Sequence, residues 1–141
     1  MTQPPRVLIV EDQFFVAVDC ELQLSSVGIE CVGLATTAAE ALELAQKERP
    51  DLIVMDIRLA SRVDGVQAAI VIYERLGIRC VFASAHADAT TRQVAKRACP
   101  LAWLDKPYTG EELVRTVQDS LKTLQAAAGR EAGDPAEHVV H

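Results

Sequence analysis

The chain has no excess of positive charge. Its 20 Asp and Glu residues outnumber 14 Lys and Arg, for a formal charge of −6. That disfavours nonspecific nucleic-acid binding, which needs clustered cations against phosphate. No helix-turn-helix pattern is present either, so no direct contact with nucleic acid is expected. No apolar run approaches the ~20 residues of a membrane helix, and no basic stretch followed by an apolar segment marks a signal peptide. The four cysteines, Cys20, Cys31, Cys80 and Cys99, form no C-x-x-C pair, and no histidine stands at metal-ligand spacing from them. They read as reduced thiols, and the protein is expected to be cytoplasmic, away from membranes. There are no internal repeats.

What is present fits one domain. The chain is 141 residues long, half of them apolar and about a quarter charged, enough for a packed core. Five short apolar runs recur: 6–10, 30–35, 52–55, 79–83 and 101–104. Each is too short for a helix and rich in Val, Ile and Leu. Unbroken apolar character, in place of alternation, suits strands covered on both faces of a parallel sheet. Between them lie segments of helical period. One runs from Gln13 to Val27. Thr37-Ala-Ala-Glu40 and Thr109-Gly-Glu-Glu112 are capping boxes, and Asp88 is placed to cap a short basic helix reaching Ala98. Leu113, Val117, Leu121 and Leu124 form an apolar stripe. The alternation β-α, five times over, predicts a parallel sheet with helices on both faces. Residues 1–125 are expected to be this domain, and 126–141, rich in Ala, Gly, Glu and Pro, a disordered tail.

In open α/β sheets a ligand binds beyond the carboxyl ends of the strands. The polar residues that end the runs are therefore the informative ones. They are Glu11 and Asp12 after the first, Asp56 after the third, Ser84 after the fourth and Lys106 after the fifth. Singly each is an ordinary cap, loop or surface residue. Together they bring three carboxylates, a hydroxyl and a lysine to one sheet edge. Clustered carboxylates repel unless a cation offsets them, and an all-oxygen set suits Mg²⁺. Lys106 and Ser84 are what a phosphoryl group would need for ion pairing and hydrogen bonding. Asp56 follows the most apolar run, Leu-Ile-Val-Met, and is the candidate nucleophile for an acyl phosphate.

These residues resemble the receiver domain of two-component response regulators, over Arg6 to about Gln125. The matching pieces are Val-Leu-Ile-Val-Glu-Asp at 7–12, Leu-Ile-Val-Met-Asp-Ile at 52–57, Ser84-Ala85 and Trp-Leu-Asp-Lys-Pro at 103–107. The resemblance implies a flavodoxin-like (βα)5 fold, a doubly wound parallel sheet of strand order 2-1-3-4-5. It implies Asp56 as phosphoacceptor, Asp12 and, through water, Glu11 as ligands of Mg²⁺, and the Arg58 backbone carbonyl as another. Ser84 would be the switch hydroxyl, Trp103 the switch aromatic and Lys106 the active-site lysine, joined to Pro107 by a cis bond. Arg58 and His86, two residues beyond Asp56 and Ser84, would tune the lifetime of the acyl phosphate. The donor would be a histidine kinase or a histidine phosphotransfer protein, with readout through a downstream protein.

Two departures from the family pattern stand out. Gly65 lies nine positions after Asp56, one more than is common, so the loop 60–65 is enlarged. Trp103 replaces the usual Tyr or Phe. No output domain is expected after the last helix, so the chain would act by protein contact, as a monomer or a phosphorylation-dependent dimer. Basic Arg92, Lys96 and Arg97 opposite acidic Glu111 and Glu112 would serve such a dimer or be ordinary surface pairs. The protein is not expected to be an enzyme with a separate substrate. Two alternatives remain: a receiver-like module that is never phosphorylated, and a Mg²⁺-dependent aspartyl-phosphate hydrolase. Arg58 weighs against the hydrolase, which would want a second acid there.

Overall fold

The computed structural model describes residues 3–59 and 64–133, with side chains described to residue 129. Its elements alternate strictly: β1 (Arg6–Val10), α1 (Phe14–Ser25), β2 (Glu30–Ala35), α2 (Ala38–Glu48), β3 (Leu52–Asp56), α3 (Asp64–Leu76), β4 (Cys80–Ser84), α4 (Ala89–Ala95), a 3₁₀ turn at Lys96–Ala98, β5 (Ala102–Asp105) and α5 (Gly110–Gly133). The five strands form one sheet in the order β2-β1-β3-β4-β5, all pairs parallel. This is the flavodoxin-like arrangement that the family resemblance implies.

The apolar runs explain the layering. Every residue of β3 and β4 is buried, as are the last four of β1, whereas β2 and β5 at the edges are only partly covered. Side chains that alternate along the central strands feed two cores. Leu8, Ile53, Met55 and Phe82 pack beneath α2 and α3, while Val7, Ile9, Val54 and Val81 pack beneath α1 and α5.

The predicted caps hold. Thr37 Oγ1 accepts from Glu40 N at 3.1 Å, and Glu40 reaches back one residue further than a simple box, to Thr36 N at 3.2 Å and its hydroxyl at 2.6 Å. Thr109 and Glu112 complete a reciprocal box at 3.0 and 3.1 Å, and Asp88 caps α4 by accepting from Thr91 N at 2.7 Å.

Two expectations change. Helix α5 does not stop near Gln125 but runs to Gly133. The composition from Ala126 onward, rich in Ala, Gly, Glu and Pro, suggests a tail, yet alanine has the highest helix propensity and the preceding turns already nucleate the helix. Residues 134–141 lie outside the described residues. So do 60–63, which hold most of the enlarged loop. The basic helix is also shorter: α4 ends at Ala95 and the chain tightens into the 3₁₀ turn through Ala98.

The opposing charges of the two last helices find partners within the chain. Arg92 lies 4.0 Å from Asp105, Arg97 3.5 Å from Glu74, and Arg115 3.1 Å from Glu111. All are exposed pairs of small energetic weight.

Candidate functional site

The carboxyl ends of β1, β3, β4 and β5 converge on one cleft of about 460 Å³. Asp12, Asp56, Arg58, Ser84, His86 and Lys106 all line it, as the sequence anticipated. Asp56 is the last residue of β3, a strand flanked by β1 and β4, pairs with Ala83 of β4, and is buried. Its Oδ1 accepts from the Arg58 backbone N–H at 3.1 Å and its Oδ2 from Lys106 Nζ at 3.0 Å. Glu11 is buried as well, and Lys106 Nζ also donates to its Oε1 at 3.1 Å. Neighbouring Asp12 is exposed instead. Carboxylate oxygens of Glu11, Asp12 and Asp56 lie within 4.8 Å of one another.

One ammonium thus serves two buried acids with a third nearby, and negative charge is in surplus. Burial, then the hydrogen bond and negative charge of Asp56, push the Glu11 carboxyl up from 4.5 to about 7. Burial alone would lower Lys106, but its hydrogen bonds to Asp56 and Glu11 outweigh this and hold it above the usual lysine value.

The pH dependence follows from Glu11. Between its unfolded value near 4.5 and its folded value of about 7, the folded protein keeps a proton that the unfolded chain has released. Stability is therefore greater below that window and falls as pH rises through it. Denaturant titration of chelator-treated protein is expected to show a decline from pH 4.5 to 7. Glu11→Gln should flatten it, and an unchanged slope in that variant would contradict the assignment.

Ser84 contributes a different signal. It ends β4, is 3% exposed, and its Oγ has no hydrogen-bond partner among the described residues. A shielded hydroxyl without a partner costs free energy and calls for an explanation. The cleft it borders supplies one: a ligand oxygen on that side would satisfy it. Lys106 is held against the same strand by its backbone N–H, which donates to Ser84 O at 2.8 Å. The Lys106–Pro107 bond is cis.

Trp103 stands apart from the cleft. On β5 opposite Phe82, it packs on that ring at 4.9 Å between centroids, with the Arg92 guanidinium 4.3 Å over its outer face. Arg58 and His86 are exposed at the rim.

The sequence reading missed three features. Asp88 and Thr91, at the start of α4, also line the cleft. Gly65 was seen only as a displaced loop glycine. It lies in the first turn of α3, behind the acceptor: its N–H donates to Ile57 O at 3.1 Å, and a Cβ there would collide with the Asp56 carbonyl oxygen and come 2.8 Å from Ile57 Cα. A glycine at the mouth of a helix beside a functional strand end is the signal that could have found it.

Residues 7–118 match the family described as the response regulator receiver domain. The transcriptional regulatory protein PdtaR of Mycobacterium tuberculosis is 34% identical over 115 residues, covering 82% of this chain and 56% of that protein. The signal receiver domain of a modulated diguanylate cyclase from Desulfovibrio desulfuricans G20 superposes with a TM-score of 0.79 at 31% identity, covering 88% of this chain and 98% of that one. The response regulator PhyR from Brucella abortus gives 0.78 at 29%, covering 98% of this chain and 54% of its own. The chain thus spans about half the length of the curated relatives it matches.

Proposed function

Since the chain belongs to the response regulator receiver domain family, we propose that Asp56 accepts a phosphoryl group from a phosphohistidine donor and that the change is read out by protein contact. The observation that carries this is the conjunction at one sheet edge of a buried carboxylate held by Lys106 at 3.0 Å and a buried, unpartnered Ser84 hydroxyl. An Asp56 carboxylate oxygen attacks phosphorus. The new O–P bond forms as the N–P bond breaks, and its electron pair leaves with the imidazole. Lys106 stabilises charge on the transferring group, and Ser84 donates to one of its oxygens.

The donor set fits Mg²⁺: carboxylate oxygens of three acids cluster within 4.8 Å, and burial together with the neighbouring Asp56 raises Glu11. Asp12, Asp56 and the Arg58 carbonyl would hold the ion, with Glu11 acting through water. When bound, it would supply charge neutralisation for the transferring phosphoryl group. The partners would be a histidine kinase or phosphotransfer protein and a downstream protein, in the cytoplasm, with no separate substrate turned over. No described helix is long and apolar enough to cross a membrane.

Trapping tests the reading. After incubation with acetyl phosphate and Mg²⁺, borohydride should reduce the acyl phosphate and leave homoserine at position 56. Homoserine elsewhere, or none, would overturn it, and the second outcome would favour the receiver-like module that is never phosphorylated.

Two further roles follow at the rim and on β5. Arg58 and His86 flank the path of attacking water, so His86→Ala and Arg58→Ala should change the dephosphorylation rate by several-fold; unchanged rates in both would remove them from that role. Trp103 is the chain's single tryptophan. Its fluorescence should change on phosphorylation as Ser84 and β4 shift, and a silent emission spectrum would exclude it as a switch.

A further inference from the structure

The segment that carries Lys106 has a second anchor that the reading above does not use. Tyr108, two residues on, packs its ring into the core shared by α1 and α5. Its hydroxyl lies 3.2 Å from Sγ of Cys20, a residue of α1 that is 2% exposed. Two residues further, Gly110 sits so close to α1 that a Cβ there would meet Gln23 Oε1 at 2.5 Å. Helix α1 is thus in contact with the 106–110 segment at two successive points.

The outer side of this segment is not packed. A groove of about 540 Å³, lined by Phe15, Val16, Cys20, Lys106, Pro107 and Tyr108, runs beside it. Packing from outside therefore does not hold Tyr108 in place, and its polar contact to α1 becomes the more important. Burial pushes both the Cys20 thiol and the Tyr108 phenol up, so both are neutral and one donates to the other. Loss of the contact would leave the buried Cys20 thiol unpaired and free Tyr108 from α1. At the active-site end the demand is strict: Lys106 Nζ spans Glu11 at 3.1 Å and Asp56 at 3.0 Å, and α1 follows closely on Glu11 and Asp12.

We infer that the Cys20–Tyr108 hydrogen bond is a positioning device for Lys106, fixing the turn after β5 against α1 so that the ammonium reaches Asp56. The proposal rests on the phosphoacceptor reading for its effect on rate, but not for its effect on Lys106 itself. Neither Cys20 nor Tyr108 touches the reacting atoms; both act through Lys106.

A double-mutant cycle tests it with the whole chain. Tyr108→Phe and Cys20→Ala should each slow phosphorylation by saturating acetyl phosphate by roughly three- to tenfold, the size expected of one hydrogen bond. The double variant should be no slower than either, and Cys20→Ser, which keeps a donor and acceptor, should retain most of the rate. In parallel, the ζ-¹⁵N resonance of Lys106 should move alike in Tyr108→Phe and Cys20→Ala and stay near its wild-type position in Cys20→Ser. Additive losses, or a Lys106 resonance indifferent to both single changes, would overturn the proposal. Should the wild-type chain take no phosphoryl group, the phosphoacceptor reading fails, and the Lys106 resonance alone still decides whether the pair positions it.

Discussion

Asp56→Asn is expected to make the protein more stable while making it blind to Mg²⁺. In the wild type Asp56 and Glu11 are both buried and share one ammonium, and their repulsion contributes to the raised Glu11 value of about 7. Asparagine removes one negative charge and leaves Glu11 balanced by Lys106. Its amide oxygen can still accept from the Arg58 N–H that now bonds Asp56 at 3.1 Å. A gain of about 1 kcal/mol near neutral pH, a rise of a few degrees in Tm, is the expected size. Added Mg²⁺ should stabilise the wild type by RT ln(1 + [Mg²⁺]/Kd), about 2.7 kcal/mol at a hundredfold excess over Kd. The variant should lose most of that increment. Thermal melts with chelator and with Mg²⁺ measure both effects. Equal stabilisation of the two proteins by Mg²⁺ would place the ion elsewhere.

Gly65→Ala should damage both fold and site. The added methyl would meet the Asp56 carbonyl oxygen and lie 2.8 Å from Ile57 Cα and 2.9 Å from the Asp56 carbonyl carbon. All three are backbone atoms at the end of a buried strand, so none can swing aside. Overpacking of this kind costs about 1–3 kcal/mol. The relief available is a shift of the Asp56–Ile57 peptide, which carries the acceptor with it. A displacement near 1 Å is worth on the order of a hundredfold in rate. Urea denaturation and phosphorylation by acetyl phosphate should therefore both report the change. Gly129→Ala is the matched control: nothing lies within 4 Å of a Cβ there. In a helix that exchange gains about 0.5–1 kcal/mol. If Gly65→Ala behaved like Gly129→Ala, the close approach of α3 to the acceptor strand would not be what positions Asp56.

Much of this was legible from local patterns. Leu-Ile-Val-Met before Asp56 is an unbroken apolar run, and a strand covered on both faces is the natural outcome. The site followed because a parallel sheet brings all its carboxyl ends to one side, so Asp56, Ser84 and Lys106 had to meet. What escaped the sequence is what depends on three-dimensional proximity. Glu11 and Asp12 are adjacent, yet one is buried against Lys106 and the other faces solvent. Side-chain pattern alone does not rank them. Gly65 matters through a steric approach to another segment's backbone, and Cys20 finds Tyr108 across 88 positions. Over 126–133 the expected tail is helix instead, for a different reason: alanine's helix propensity extends a helix already formed, against what the change in composition suggests.

The central claim is that Asp56 takes the phosphoryl group. Intact mass after incubation with acetyl phosphate tests it most directly. The account predicts a gain of one phosphoryl group in the wild type, dependent on Mg²⁺ and absent from Asp56→Asn. A wild type that gains nothing with any donor, or an Asp56→Asn protein that gains as much, would contradict it.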